Sequence, residues 1–307
     1  MKRAVNCGLV KADNMKQAIL LLSFGTPRQP SDLLPYLTSI RRGKIPTERE
    51  LKVLTARYDA IGQWDNKLLQ TMGEDQKKTL KSLLAIDAMY LAYLHMPNSM
   101  EQAVESIAAA GYTSILCIVT SPFYSMVGTG AYERKLHSIL RAYPDISCEI
   151  IKSWWNRPQF FEYWRSQLMA ANPLQADTAC IFSAHSVPTS TVGSYEDEVM
   201  SASNQIAKMV GLNHWYQAWQ SAAPYGEWLG PTIESVIEQA LIDGAKRIVC
   251  IPFGFVSDHV EILYDNDIIC RSIVENAGAT YERLPMPNGN TLFMEAMAKA
   301  IRERINK

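Results

Sequence analysis

The sequence predicts an α/β protein with parallel sheets, arranged as two similar halves. Apolar runs of strand length alternate along the chain with longer segments of helical period. The words LLLSFGTP, YLAYLH and ILCIVTSPFYS in the first half also find architectural counterparts in CIFSAHSVP, YQAWQS and IVCIPFGFVSDH in the second. The likeness is one of pattern, with little residue identity. Finally, polar and ionisable residues cluster just after the apolar runs, where strands of an open parallel sheet deliver side chains into a ligand crevice.

The predicted strands are 17–24, 88–94, 114–120, 148–152, 178–184, 215–219, 247–253 and 280–283. Between them lie helices such as 98–110, where Asn98 is placed to cap, Glu101 to complete a capping box and Gly111 to terminate. A last helix over about 291–305 closes the chain and is expected to return onto the first half.

Composition narrows the function. The chain has 307 residues, 48% hydrophobic and 20% charged, enough to bury a sizeable core in two domains. A formal net charge of −1 supplies no basic field for nucleic acid or an anionic membrane. No apolar run approaches the ~20 residues that span a bilayer. Residues 1–14 read as a dispensable extension, with Met15 an alternative start, because Asn6 interrupts the short apolar stretch and no small-residue cleavage site follows. Cys7, Cys117, Cys148, Cys180, Cys250 and Cys270 show no C-x-x-C spacing, which points to free thiols in a reducing cytoplasm and to no iron–sulfur cluster. A dinucleotide loop is disfavoured as well, since Gly128-Thr129-Gly130 is followed by Glu133 where a third glycine belongs, and no Walker sequence exists.

The richest stretch is Ile251–Asp267, IPFGFVSDHVEILYDND, an apolar strand that opens through a glycine into acidic sequence. A helix beginning after Val256 would put Glu261, Asp265 and Ile269 on one face. The run 179–184 ends in the same way on His185-Ser186-Val187-Pro188. Two strand ends thus bring an imidazole and a carboxylate, a pair suited to holding a divalent metal or moving protons near neutral pH. The plainer reading of each alone is a solvated helix-start carboxylate and a hydrogen-bonded turn histidine. His95, in YLHMP, reads equally as a loop residue or a site residue. Arg41-Arg42 and Arg57 read either as a solvated basic patch or as partners for substrate carboxylates.

These words, in order, carry a resemblance. FGTP at 24–27, IRRG at 40–43, RYDAIG at 57–62, SAHSVP at 183–188, WQS at 219–221, WLGP at 228–231 and GFVSDHVEILYDND at 254–267 make the chain similar to ferrochelatases, most closely the Firmicute type that acts on coproporphyrin III. The resemblance implies two Rossmann-like domains, 15–172 and 173–289, each a parallel four-stranded sheet flanked by helices, with 290–307 packing back on the first. A porphyrin would lie between them. It implies a monomeric, cytoplasmic enzyme that inserts Fe²⁺ into coproporphyrin III or protoporphyrin IX with no cofactor beyond its ferrous substrate. His185 and Glu261 match the catalytic pair, which with Asp265 would meet the metal. Arg41, Arg42, Arg57, His95, Tyr132 and Phe24 match positions around the porphyrin. Three positions depart from the pattern: Phe24 replaces a tyrosine able to ligate iron, Asp65 falls near a segment beside a propionate, and Ile269 replaces an outer acidic residue. Those departures leave open a second reading, a tetrapyrrole carrier or sensor with little turnover. A cobalt or nickel chelatase on a related scaffold is a third.

Overall fold

The computed structural model describes residues 16–65, 67–223 and 225–305, with the side chains of 65 and 67–70 left aside. The expectations for residues 1–14, Met15 and Cys7 lie outside the described residues, as does the Asp65 side chain.

Among the described residues, eight strands form two parallel sheets. The first, in the order β2-β1-β3-β4, contains β1 (Gln17–Ser23), β2 (Met89–Tyr93), β3 (Ser114–Val119) and β4 (Ser147–Ile151). The second, in the order β6-β5-β7-β8, contains β5 (Thr178–His185), β6 (Trp215–Gln220), β7 (Arg247–Ile251) and β8 (Thr280–Arg283). The orders correspond strand for strand, which is the repeat that the sequence pattern implied. In each sheet the second and third strands are the central pair, and every residue of β3 is buried, because helices cover both faces. Register places Leu20 between Tyr90 and Cys117, and Phe182 between Gln217 and Ile251.

The helices are α1 (Leu33–Ile40), α2 (Glu48–Ala60), α3 (Lys67–Leu84), α4 (Ser99–Ala109) and α5 (Thr129–Leu140), then α6 (Pro158–Ala170), α7 (Tyr195–Val210), α8 (Ile233–Ile242), α9 (Arg271–Asn276) and α10 (Thr291–Ile305). No helix among the described residues is long and apolar enough to cross a membrane. At α2 a reciprocal capping box sets the start, since Thr47 and Glu50 each satisfy the other's backbone N–H. The expected box at α4 does not form. Asn98 adopts a left-handed conformation with φ 55°, and Glu101 turns to Lys135 at 3.6 Å. Ser99 Oγ instead accepts the Tyr93 N–H at 2.9 Å, so a tertiary contact overrides the local cap.

Between β7 and α9 the expected α-helix is a π-helix, Glu261–Cys270. Its i→i+5 bonds widen the turn, a conformation that is rare and concentrated at functional sites. The helix keeps Glu261 and Asp265 towards the cleft and turns Asp267 back towards β8.

One core serves both halves. Phe182 of β5 meets Phe253 at 5.5 Å between ring centroids, Phe253 meets Phe123 at 5.6 Å, Phe123 meets Phe160 of α6 at 5.9 Å, and Phe160 meets Phe293 of α10 at 5.7 Å. Most of these rings meet edge to face, the geometry their quadrupoles favour. α10 lies against α3 and α6, where Arg302 donates to the Leu83 carbonyl at 2.8 Å and Arg157 pairs with Glu303 at 2.6 Å.

The exit of β7 crosses that of β5 at very short range. Gly254 donates its N–H to the Ser183 carbonyl at 3.1 Å, and a Cβ on residue 254 would lie 2.4 Å from Ala184 Cβ and 2.6 Å from its Cα. Backbone cannot yield as a flexible side chain would. Gly254→Ala should therefore cost ~1–3 kcal/mol, the usual range for overpacking. Gly289→Ala, whose added methyl meets nothing nearer than 3.7 Å, should cost less. Urea unfolding of both variants checks this, and equal midpoints would rule out the close approach.

Candidate active site

His185 is the last residue of β5, and the chain beyond it is tied down on all sides. Ser186 donates its N–H to the Gln220 carbonyl and its hydroxyl to the Leu229 carbonyl, both at 2.8 Å, while the Tyr195 hydroxyl donates to the His185 carbonyl at 2.9 Å. His185 Nδ1 points at the Ser186 carbonyl. A carbonyl can only accept, so Nδ1 carries the proton and Nε2 is the working nitrogen.

That nitrogen faces Glu261 Oε1 at 3.5 Å. The other carboxylate oxygen, Oε2, lies 3.4 Å from Nε2 of His259, whose Nδ1 is likewise engaged with a backbone carbonyl, that of Ser257, at 2.9 Å. Glu261 is thus held between two imidazoles of matching tautomer. The Phe255 ring lies 6.3 Å from that of His185 and 5.1 Å from that of His259, an apolar cover over both. The His185 side chain remains 39% exposed, so the pair opens to solvent.

Burial opposes a charge on His185, but the Glu261 carboxylate beside it, aided by the Ser186 carbonyl and Asp265, pushes its pKa up to about 9. Burial also opposes ionisation of Glu261, and the two imidazoles, His185 foremost, outweigh it and hold the carboxyl well below the usual carboxylate range. The resting pair at neutral pH is imidazolium and carboxylate.

Asp265 lies one turn further along the π-helix. It accepts the Ser221 hydroxyl at 2.9 Å and an ion pair from Arg57 Nη1 at 3.5 Å. Burial still raises its pKa against both partners. Ser221 reaches it from a left-handed conformation, φ 61°, at the end of the WQS word. Among the described residues no group of three or more His, Cys, Asp or Glu side chains is arranged to hold a metal ion alone.

The first half supplies an aromatic wall. Phe24, just past β1, is 43% exposed, and its ring lies 4.4 Å from that of His95 and 6.2 Å from that of Tyr36. Tyr36 and Tyr58 lie within the electrostatic reach of Glu261, and burial is the main reason that both phenols are raised, Tyr58 to about 12. His95 Nδ1 is 3.0 Å from Ser39 Oγ, and burial with help from Lys135 pushes it down to about 4, leaving it neutral. Behind it opens a recess of about 460 Å³ whose lining includes Leu34, Ser39, Met96 and Lys135. Tyr132, on α5, is buried and packs with the core of the first half.

The predicted arginines are spread around the rim. Arg41 is paired with Glu50. Arg57, on α2, reaches across to the π-helix, where its guanidinium also lies 4.9 Å over the Tyr264 ring. Arg42 is exposed, in a left-handed conformation with φ 56°, and has no ion-pair partner among the described residues. Val260 adds an apolar contact to the cluster of Leu33, Tyr36 and Tyr58, so the α1–α2 hairpin rests directly on the segment that carries Glu261.

The structure therefore brings His185 and Glu261 together, with Asp265 and Arg57 beside them and Phe24 with His95 on the first-half side. In the sequence His259 and Ser221 stand out only as members of the polar run after β7 and of the WQS word, with no role of their own, and Tyr36 carries no signal.

Comparison with known proteins bears on the family and the fold. A sequence model described as Ferrochelatase matches residues 16–305. The coproporphyrin III ferrochelatase of Geobacillus kaustophilus (strain HTA426) is 33% identical over 302 residues, covering 93% of this chain and 95% of the relative. That of Staphylococcus aureus (strain Mu50) is 32% identical over 304 residues, covering 94% and 98%. Among solved structures, the cobalt complex of the sirohydrochlorin chelatase SirB from Bacillus subtilis subspecies spizizenii superposes with a TM-score of 0.61 at 10% identity, covering 94% of this chain and 95% of that one. CbiX, the terminal enzyme of sirohaem biosynthesis in denitrifying bacteria, gives 0.55 at 13% identity, covering 93% and 98%. At those identities the two chelatases speak for the fold, and the family model with the sequence relatives places this chain in the ferrochelatase family.

Proposed function

We propose that this protein inserts Fe²⁺ into coproporphyrin III, releasing the pyrrole protons to solvent. The observation that carries the reading is the row His185–Glu261–His259, fixed in one tautomeric sense and open on the His185 side towards an aromatic wall. A flat apolar macrocycle fits against Phe24 and the rings behind it. Its relatives named for coproporphyrin III support that substrate over protoporphyrin IX. Coproporphyrin carries more propionate arms, and of the three predicted arginines Arg42 has no ion-pair partner among the described residues.

Metallation requires the ring to lose protons as the ion enters. In the resting site His185 holds a proton at Nε2. A divalent cation arriving at the ring centre repels that proton. Glu261 takes it on Oε1 and returns to carboxylate by giving that same proton to solvent, so that each pyrrole proton leaves in turn by way of His185. The freed lone pair of His185 is then the base for a pyrrole N–H, and neutral imidazole is also a good ligand for ferrous iron. Glu261 keeps the net charge balanced throughout. The described cysteines are unpaired thiols, mostly buried in strands, which suits a reducing compartment, and we place the reaction in the cytoplasm.

Under anaerobic conditions the purified protein should metallate coproporphyrin III faster than protoporphyrin IX, as followed by the loss of porphyrin fluorescence. His185→Ala and Glu261→Gln should each slow it by ~10²-fold or more, the usual scale for losing a general base. Tight porphyrin binding without turnover in the wild type would identify a carrier and reject the enzyme.

The protonation states have their own test in the metal-free protein. The raised value of His185 means that the ion pair contributes stability in full below about 6.5 and loses it as pH rises through about 9. Histidine NMR should show one imidazole keeping its proton past pH 8, and Glu261→Gln should lower that titration, because the strongest of the groups that favour the charge is then neutral while burial still opposes it. A wild-type His185 that titrates near 6.5 would refute the assignment.

A further inference from the structure

The acidic segment that carries the site is held from behind by one buried cation. Arg283, the last residue of β8, has a side chain only 13% exposed. Its Nε donates to Asp267 Oδ1 at 2.7 Å and its Nη2 to Asp267 Oδ2 at 2.8 Å, a two-point fork on one carboxylate. The same Nη2 lies 3.2 Å from Asp258 Oδ1, and Nη1 donates to the Leu284 carbonyl at 3.1 Å. Asp258 is itself fixed by Asn288, which accepts its N–H and donates to its Oδ2, both at 2.9 Å. Asn288 does so from a left-handed conformation, φ 52°, and its carbonyl accepts Gln76 Nε2 of α3 at 3.1 Å.

Asp258 and Asp267 stand on either side of the working residues: one immediately precedes His259, and the other lies beyond Asp265 on the far side of the π-helix. A single guanidinium therefore closes the loop 258–267, which contains His259, Glu261, Tyr264 and Asp265. Such a staple is sensitive to geometry. A π-turn is less favourable than an α-turn unless its surroundings impose it, and slipping by one residue would rotate Glu261 away from both imidazoles. A planar fork fixes direction as well as charge, whereas an ammonium supplies a point charge alone. Arg283 touches none of the groups that meet substrate, so its effect must pass through Asp258 and Asp267.

We propose that Arg283 is a positioning residue for metal insertion: by gripping Asp258 and Asp267 together it holds the π-helical register that keeps Glu261 between His185 and His259. This deepens the chelatase reading and rests on it for its kinetic part.

The test compares wild type, Arg283→Lys, Arg283→Gln and Asp267→Asn. Turnover with Fe²⁺ and coproporphyrin III is normalised to the folded fraction from near-ultraviolet circular dichroism. The expected result is a kcat lower by ~10- to 100-fold in each variant, lysine included, the scale seen when groups that orient a site residue are removed. KM for the porphyrin should stay within about twofold, because the aromatic wall is untouched. Backbone amide exchange over 259–267 should quicken in Arg283→Lys while β5 and β7 keep their protection. Should Arg283→Gln fail to fold, the lysine and asparagine variants carry the same comparison. An active wild type with an equally active Arg283→Lys would overturn the clamp alone, as would normal kcat per folded molecule in all variants. A wild type that metallates nothing would count against the chelatase reading instead, and the exchange data would then decide the clamp: unchanged exchange over 259–267 overturns it.

Discussion

Everything at the site follows from a crossing of two backbones that leaves no room for a methyl group. β5 ends in His185, and β7 leads to Glu261 by a path that touches Ser183 and Ala184 at residue 254. A side chain there would lift the path off the sheet and carry the carboxylate away from the imidazole. Glycine is thus the geometric condition for an ion pair seven residues further on. Parallel strands favour this construction, because their carboxyl ends lie side by side and the loops that leave them converge.

Around that crossing the chain arranges charge with care. Glu261 stays ionised because imidazoles flank it, and Asp265 is steadied by Ser221 and Arg57, the latter from the other half of the molecule. Two arginines, Arg57 in front and Arg283 behind, grip the same π-helical segment from opposite directions. The acidic run that looked excessive in the sequence is therefore partly structural. Asp258 and Asp267 anchor the segment, while Glu261 is left facing the opening.

How much of this was legible depends on the range of the forces involved. All eight strands could be located, the central ones most plainly because a parallel strand covered on both faces is apolar nearly throughout, and the two site-bearing strand ends, His185 and the approach to Glu261, could be read with them. The π-helix could not, since its bonding differs from that of an α-helix by one residue and its composition does not. Asn98 misled because local capping lost to a hydrogen bond between Ser99 and β2. The arginines were recognised as a group, but their partners were not: Glu50 lies nine residues from Arg41, whereas Asp265 is on another part of the chain altogether. His259 was visible as one polar residue in a polar run, but its role rests on contacts with Ser257 and Glu261 that spacing alone does not show.

The chain of rings from Phe182 to Phe293 has a mechanical consequence. Because the halves share it, they cannot part like jaws without shearing the best-packed interior of the molecule. The α1–α2 hairpin is held more lightly, by a small cluster around Tyr36, by the Ser39 to His95 and Tyr36 to Gly25 hydrogen bonds and by the ion pair from Arg57. The two sheets are thus a fixed frame, and fitting a rigid disc is left to the side chains and the hairpin at the opening.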